Sequence, residues 1–240
     1  MVNRRRIRAA MHIAACSLLL CVALESGQVQ QPDEATVIHG IDAAVSRRFE
    51  NVLGFTDIEH YSVYRDKDEM HPIAEMTARD TYRKGSGKTY TILSESGSEL
   101  VRKLGLNSLI ENETMLNQPG NVERSWFNSA NYEMHLKAGG VQKLYGRDCY
   151  VLAIRSRRRA PNLIDGLLWV DARDYSMVKL DGTASRSPSI FAGATHMMRE
   201  YISIGGFPMA TQARAESNSI VGHIVVTVDY RDYRLQQRTP

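Results

Sequence analysis

The chain has 240 residues, 43% apolar and 24% charged, which suits one large domain or two small ones with an ordinary core and excludes disorder or collagen-like repetition. The formal charge of +3 is concentrated in residues 1–27, where Arg4, Arg5, Arg6 and Arg8 face the single acid Glu25. Beyond them the basic and acidic residues balance, so the body has no basic excess with which to hold nucleic acid, and no nucleic-acid partner is expected.

Residues 1–27 have the layout of a secretory signal. A basic start runs into the apolar stretch 9–24, interrupted only by His12 and Ser17, and polarity returns at Glu25, Ser26 and Gly27. A membrane span needs about 20 apolar residues, more than this stretch supplies. Export to the periplasm with cleavage near Ser26 or Gly27 is therefore expected, leaving residues 28–240 as a single domain. Acylation at Cys16 is the weaker alternative, because Ser17, Leu18, Leu19 and Leu20 follow it where a polar tether belongs. Cleavage leaves Cys149 as the one thiol, so no internal disulfide can form, and its strand-like surroundings predict a small buried core residue.

In chain order, Pro32, Asp33 and Glu34 open a helical pattern. Val37, Ile38, Ile41, Val45, Phe49 and Val52 recur at spacings of three and four, forming one apolar face that ends near Gly54. The period then changes to two. Residues 55–65, 73–83 and 88–95 are rich in Thr, Tyr, Ile and Val and read as antiparallel strands. Residues 98–127 break the pattern as a helical insertion with Leu100, Val101, Leu104, Leu109 and Ile110 on its apolar side, an expected interruption at Gly105 and a stop at Pro119–Gly120. Strands resume at 131–137, 141–145, 148–156, 166–173, 177–185, 194–204, 208–218 and 222–235. In the last of these Ile224, Val226, Val228 and Tyr230 share one face, and the other face is expected to be mostly wet. The fold class is thus mainly β with helices (α+β), a single highly curved antiparallel sheet with helices against its concave side.

Motifs for catalysis are missing. Gly85-Ser86-Gly87-Lys88-Thr89 resembles the end of a phosphate-binding loop, but Tyr82 stands where its first Gly belongs and the segment joins two strands. His39, His60, His71, His135, His196 and His223 show no paired ligand spacing, and no GxSxG occurs. No enzyme activity, cofactor or metal is expected. Arg155, Arg157, Arg158 and Arg159 form the one basic cluster of the body and read as a solvated hairpin tip in preference to an anion site.

The order of features resembles the LolA/LolB-like superfamily, which includes outer-membrane lipoprotein-sorting proteins and the sensor domain of RseB. The resemblance rests on Asp165-Gly166-Leu167-Leu168-Trp169-Val170-Asp171, then Met177-Val178-Lys179-Leu180-Asp181-Gly182, then Arg199-Glu200-Tyr201 with Gly205-Gly206-Phe207-Pro208, and Val228-Asp229-Tyr230-Arg231-Asp232-Tyr233, about 70 residues in order. The first half resembles the family only in layout. The resemblance implies an unclosed β-barrel whose concave face, covered by an N-terminal helix and a helical lid, holds acyl chains. The residues chosen for that cavity are Ile38, Ile41, Val45 and Phe49 on the first helix, Leu100, Leu104, Leu109 and Ile110 on the insertion, and Trp169, Met198, Ile224, Val226 and Val228 on strands; for each of them plain core packing is the competing reading. The functions implied are a periplasmic carrier or chaperone for lipid or lipoprotein acyl chains, with transient membrane contact, or an envelope sensor of the same fold that binds a partner protein.

Overall fold

The computed structural model describes residues 32–66, 68–187, 192–219 and 222–238; the expected leader and its expected cleavage site lie outside them. Helix α1 (Glu34–Asn51) starts where Asp33 accepts a hydrogen bond from the Thr36 amide at 2.6 Å, with Glu34 in its first turn and Arg48 in its last, both matched to the helix dipole. It runs directly into β1 (Val52–Arg65), three residues earlier than the alternation at 55 suggests.

The meander continues as β2 (Ala74–Arg83) and β3 (Gly87–Gly97). The insertion follows as α2 (Glu99–Val101), a π-helical turn (Arg102–Leu106) and α3 (Asn107–Leu116), and then a 3-10 turn at Val122–Ser125. Gly105 therefore does not break the helix as expected. It lies in the wider π turn, which takes up one extra residue per turn, and the helix goes on. The remaining strands are β4 (Tyr132–Leu136), β5 (Gln142–Leu144), β6 (Arg147–Ser156), β7 (Ile164–Asp171), β8 (Met177–Ala184), β9 (Ala192–Ile204), β10 (Phe207–Ser219) and β11 (Gly222–Gln237).

All described pairings are antiparallel, in the order β3-β2-β1-β11-β10-β9-β8-β7-β6-β4 with β5 beside β6, and the eleven strands do not close into a barrel. The N-terminal meander thus joins the C-terminal strand through β1 and β11, where Glu59 lies opposite Tyr230 and Tyr61 opposite Val228. Closest approach occurs between β7 and β8. A Cβ on Gly166 would sit 2.3 Å from the Asp181 carbonyl, so this crossing requires glycine there and at its partner Gly182.

Two apolar clusters lie on the inner face, the face that carries the helices. The larger joins Val37 and Ile41 of α1 to Leu152, Leu168, Val170 and Tyr201 of the later strands. The smaller joins Leu106, the one buried residue of the insertion helices, to Tyr61, Val63, Met76 and Val228. Phe55, Tyr82, Val52 and Met209 form a third, minor cluster. The outer face is drier than the β11 pattern predicts, because Val225 is fully buried there. Arg214 on β10 binds both carboxylate oxygens of Glu69, at 2.6 and 2.8 Å, and holds the β1–β2 connection on the same side as Val225. Cys149 is buried as expected. Among the described residues no helix is long and apolar enough to cross a membrane.

Candidate functional site

The inner face under the insertion is the part of the sheet most unlike an ordinary core. Along β1 the inward positions are Phe55, Asp57, Glu59, Tyr61 and Val63, and along β2 they are Met76, Ala78, Asp80 and Tyr82. Two strands that are otherwise apolar and aromatic on this face therefore turn three carboxylates inward between the smaller clusters. Asp57, Glu59 and Asp80 are 2%, 1% and 0% exposed. Lys88 reaches them from β3, 2.8 Å from Asp80 Oδ2 and 3.3 Å from Glu59 Oε1, with the Tyr90 hydroxyl also at 3.3 Å. Tyr61 donates to the other Glu59 oxygen.

Asp57 has no such partner. Both its carboxylate oxygens are buried without a hydrogen bond. Tyr233 is nearby, but its single hydroxyl proton is donated to the Ala210 carbonyl at 2.9 Å. Burial, opposed by Lys88 and by the Tyr233 hydroxyl and reinforced by Glu59 and Asp80, pushes the Asp57 carboxyl up to about 8. Burial also raises Asp80, against the pull of Lys88. Burial alone would push the Lys88 ammonium down, but Glu59, Tyr90 and Asp80 hold it well above the usual lysine range. The belt is thus a dry cluster of acids in which Asp57 holds on to its proton, and a cation can take that proton's place.

The insertion covers this belt with few attachments. Leu106 is its apolar anchor, Arg102 pairs with Glu95 at 2.8 Å, and Glu113 faces Arg199 of β9 at 3.9 Å while accepting from the Asn117 side-chain amide at 3.3 Å. Its other side is open and sets leucines among charged residues such as Glu99 and Lys103. Leu100 and Leu104 are 68% and 71% exposed, and Leu109 and Met115 are exposed too. Where the end of α1 meets the β2–β3 turn and the loop after α3, a cavity of about 160 Å³ is lined by Phe49, Tyr82, Lys84, Asn117 and Val122. That is below the roughly 300–1,000 Å³ usual for a small-molecule pocket, so a larger occupant requires the insertion to move.

The residues chosen from the sequence divide into four groups. Ile38, Ile41 and Val45 pack into the larger cluster, while Ile110, Ile224, Val226 and Val228 pack in or against the smaller one, on the inner face. Phe49 lines the cavity and packs against Trp126, ring centres 4.7 Å apart. Leu100, Leu104 and Leu109 stay on the open side of the insertion. Trp169 and Met198 are corrections, since the structure puts both on the outer face. Their neighbours Leu168 and Met197 take the inward positions, the Lys179 ammonium lies 5.4 Å from the centre of the Trp169 ring, and Met198 pairs across strands with Asp181 and Arg214.

Two polar groupings lie outside the inner face. The arginine cluster is exposed at Arg155, Arg157 and Arg159, as a solvated tip would be, but it is also fastened: Arg157 donates to the Ser129 carbonyl at 2.9 Å, Arg159 to that of Ser185 at 3.2 Å, and Arg158 to that of Arg124. These side chains fasten the β6–β7 connection to its neighbours. A row of Thr77, His60 and Glu75 joins hydroxyl, imidazole and carboxylate at 2.9 and 3.4 Å, but it lies on the outer face, across the sheet from the helices.

No family model and no curated protein matches the chain. Among solved structures it is similar to a LolA superfamily protein from Nitrosomonas europaea, at 14% identity over 86% of this chain and 94% of that one, with a TM-score of 0.45. A putative outer membrane lipoprotein-sorting protein domain from Vibrio parahaemolyticus is similar at 13% identity over 83% and 92%, with a TM-score of 0.45. A DUF1329 family protein from Desulfovibrio piger is similar at 15% identity over 83% and 93%, with a TM-score of 0.42.

Proposed function

We propose that the protein is an exported carrier or chaperone that shelters lipid or lipoprotein acyl chains between the inner sheet face and the insertion. The observation that carries this reading is the insertion itself, an eighteen-residue helical segment with one buried anchor, Leu106, and a row of exposed leucines. Lifting it uncovers Tyr61, Val63, Met76 and Val228 and turns its own apolar residues into a second wall. Each buried methylene contributes about 0.8 kcal/mol, so a long acyl chain binds through burial alone and needs no catalytic group.

The test is native mass spectrometry of the protein expressed with its leader in an envelope-bearing host, followed by titration of the delipidated protein with a fluorescent long-chain fatty acid. Co-purified lipid and saturable binding are expected. A protein that is always empty and does not bind the probe refutes the carrier. The alternative, an interaction domain that reads a partner protein, draws support from β3, an edge strand whose residues from Thr91 to Gly97 are all exposed. Repeated recovery of one envelope protein, with or without lipid, favours it over carriage.

A further inference from the structure

We propose that Asp57, Glu59 and Asp80 form a binding site for a hard divalent metal cation of the calcium type. The three carboxylates each offer an oxygen within 4.8 Å of the others. Calcium–oxygen contacts of about 2.4 Å place two ligands on opposite sides of the ion about 4.8 Å apart, so this spacing is one that a single ion can bridge. An all-oxygen donor set selects calcium, magnesium or manganese over zinc or copper, and a set drawn from two neighbouring strands, without imposed octahedral geometry, favours calcium among these.

Charge supplies the independent reason. Three carboxylates, each 2% exposed or less, are met by one ammonium, and that ammonium is placed on Asp80 and Glu59. Asp57, with both oxygens buried and unbonded, is left facing the other two. A buried carboxyl without a partner is costly to ionise, and one divalent ion, taking the place of its proton, offsets the carboxylate charge that Lys88 leaves over. The surroundings can accommodate it. Tyr61 occupies only Oε2 of Glu59, which leaves Oε1 to the ion, and Lys88 keeps the Tyr90 hydroxyl when the ion takes its place on the carboxylates. Lys88 is then a competitor, and the site binds more tightly without it. This proposal does not depend on the acyl-chain reading, and its test contains no lipid.

The experiment uses the purified protein stripped with EDTA and titrated with calcium chloride at neutral pH by calorimetry, with melting temperature read in parallel. One calcium per chain and a melting temperature that rises with calcium concentration are expected. Terbium, bound in place of calcium, should luminesce on excitation of the tyrosines around the belt. D57N removes one ligand without changing shape and should weaken calcium binding about 100-fold or more, with terbium luminescence lost. K88M should bind calcium at least about tenfold more tightly, or fold only when calcium is present. Absence of binding at millimolar calcium, magnesium and manganese overturns the proposal. So does calcium binding that D57N leaves unchanged, which would place the ion elsewhere on the protein, and so does a folded K88M with unchanged affinity.

Discussion

Replacing Leu106 by alanine should release the insertion while leaving the rest of the sheet folded. Leu106 is fully buried among Tyr61, Val63, Ala74, Met76 and Val228, whereas Val101 and Ile110 are only partly buried beside it and α3 buries no residue of its own. A Leu→Ala change at such a site costs about 2–5 kcal/mol. The lower end applies, because a surface helix can settle into the gap, and about 2–3 kcal/mol corresponds to a roughly 30- to 150-fold increase in the open population. The larger cluster under α1 shares no buried residue with this one, so the loss should stay local. Hydrogen exchange followed by mass spectrometry should show amide protection across 99–116 falling by that factor, with β6, β7 and β8 unchanged. In the carrier reading, the same variant takes up a fluorescent fatty acid faster. Unchanged protection in the insertion, or an equal loss everywhere, refutes the idea that one leucine holds it.

Four other substitutions probe the same architecture. In metal-free buffer the raised Asp57 carboxyl keeps its proton in the folded state after the unfolded chain has released it, so wild-type stability should fall as pH rises from about 4 and level off above about 8, by up to about 1.4 kcal/mol per pH unit. D57N should flatten that slope in urea melts taken at several pH values; an identical slope refutes the assignment. Gly166→Ala forces a methyl against the Asp181 carbonyl and should cost about 3 kcal/mol in chemical denaturation, whereas Gly85→Ala meets open space and only a left-handed backbone, a smaller cost. Asp42→Ala removes the carboxylate that accepts from the Ser129 amide at 2.8 Å and its hydroxyl at 2.6 Å; about 2 kcal/mol of local stability should be lost, read as faster exchange of the 126–131 amides.

The sheet was legible because its strands alternate cleanly and its turns carry glycine. Every expected strand exists, and most ends fall within about two residues of the pattern. Faces were harder to assign. Trp169 and Met198 look like natural cavity residues by type, yet the parity of their strands is fixed by Leu168 and Met197 beside them, and both short strand runs are apolar enough to hide that parity. The buried belt left a trace that residue type alone obscures. Asp57, Glu59 and Asp80 occur at period two among Phe55, Tyr61, Met76 and Tyr82, on the apolar side of each strand. Acids read as surface residues by habit, and only the register of β1 with β2 brings the three together. The carbonyls that capture Arg157, Arg158 and Arg159 lie far away in sequence, so no local pattern could foretell them.

The way the insertion is fastened limits how it can travel. At its start the Ser98 amide donates to the Ile73 carbonyl at 2.8 Å and the Ser98 hydroxyl caps α2. At its end Asp42 grips Ser129 and Arg157 grips the same residue's carbonyl. A segment moored at both ends cannot swing out about one hinge as a door does. It can only bow away from the sheet like a buckle strap, with Leu106 near the first mooring and a longer slack run beyond it. Such a motion opens sideways, and in the carrier reading it would let a long thin guest thread beneath it lengthwise while turning a broad rigid one away at the rim.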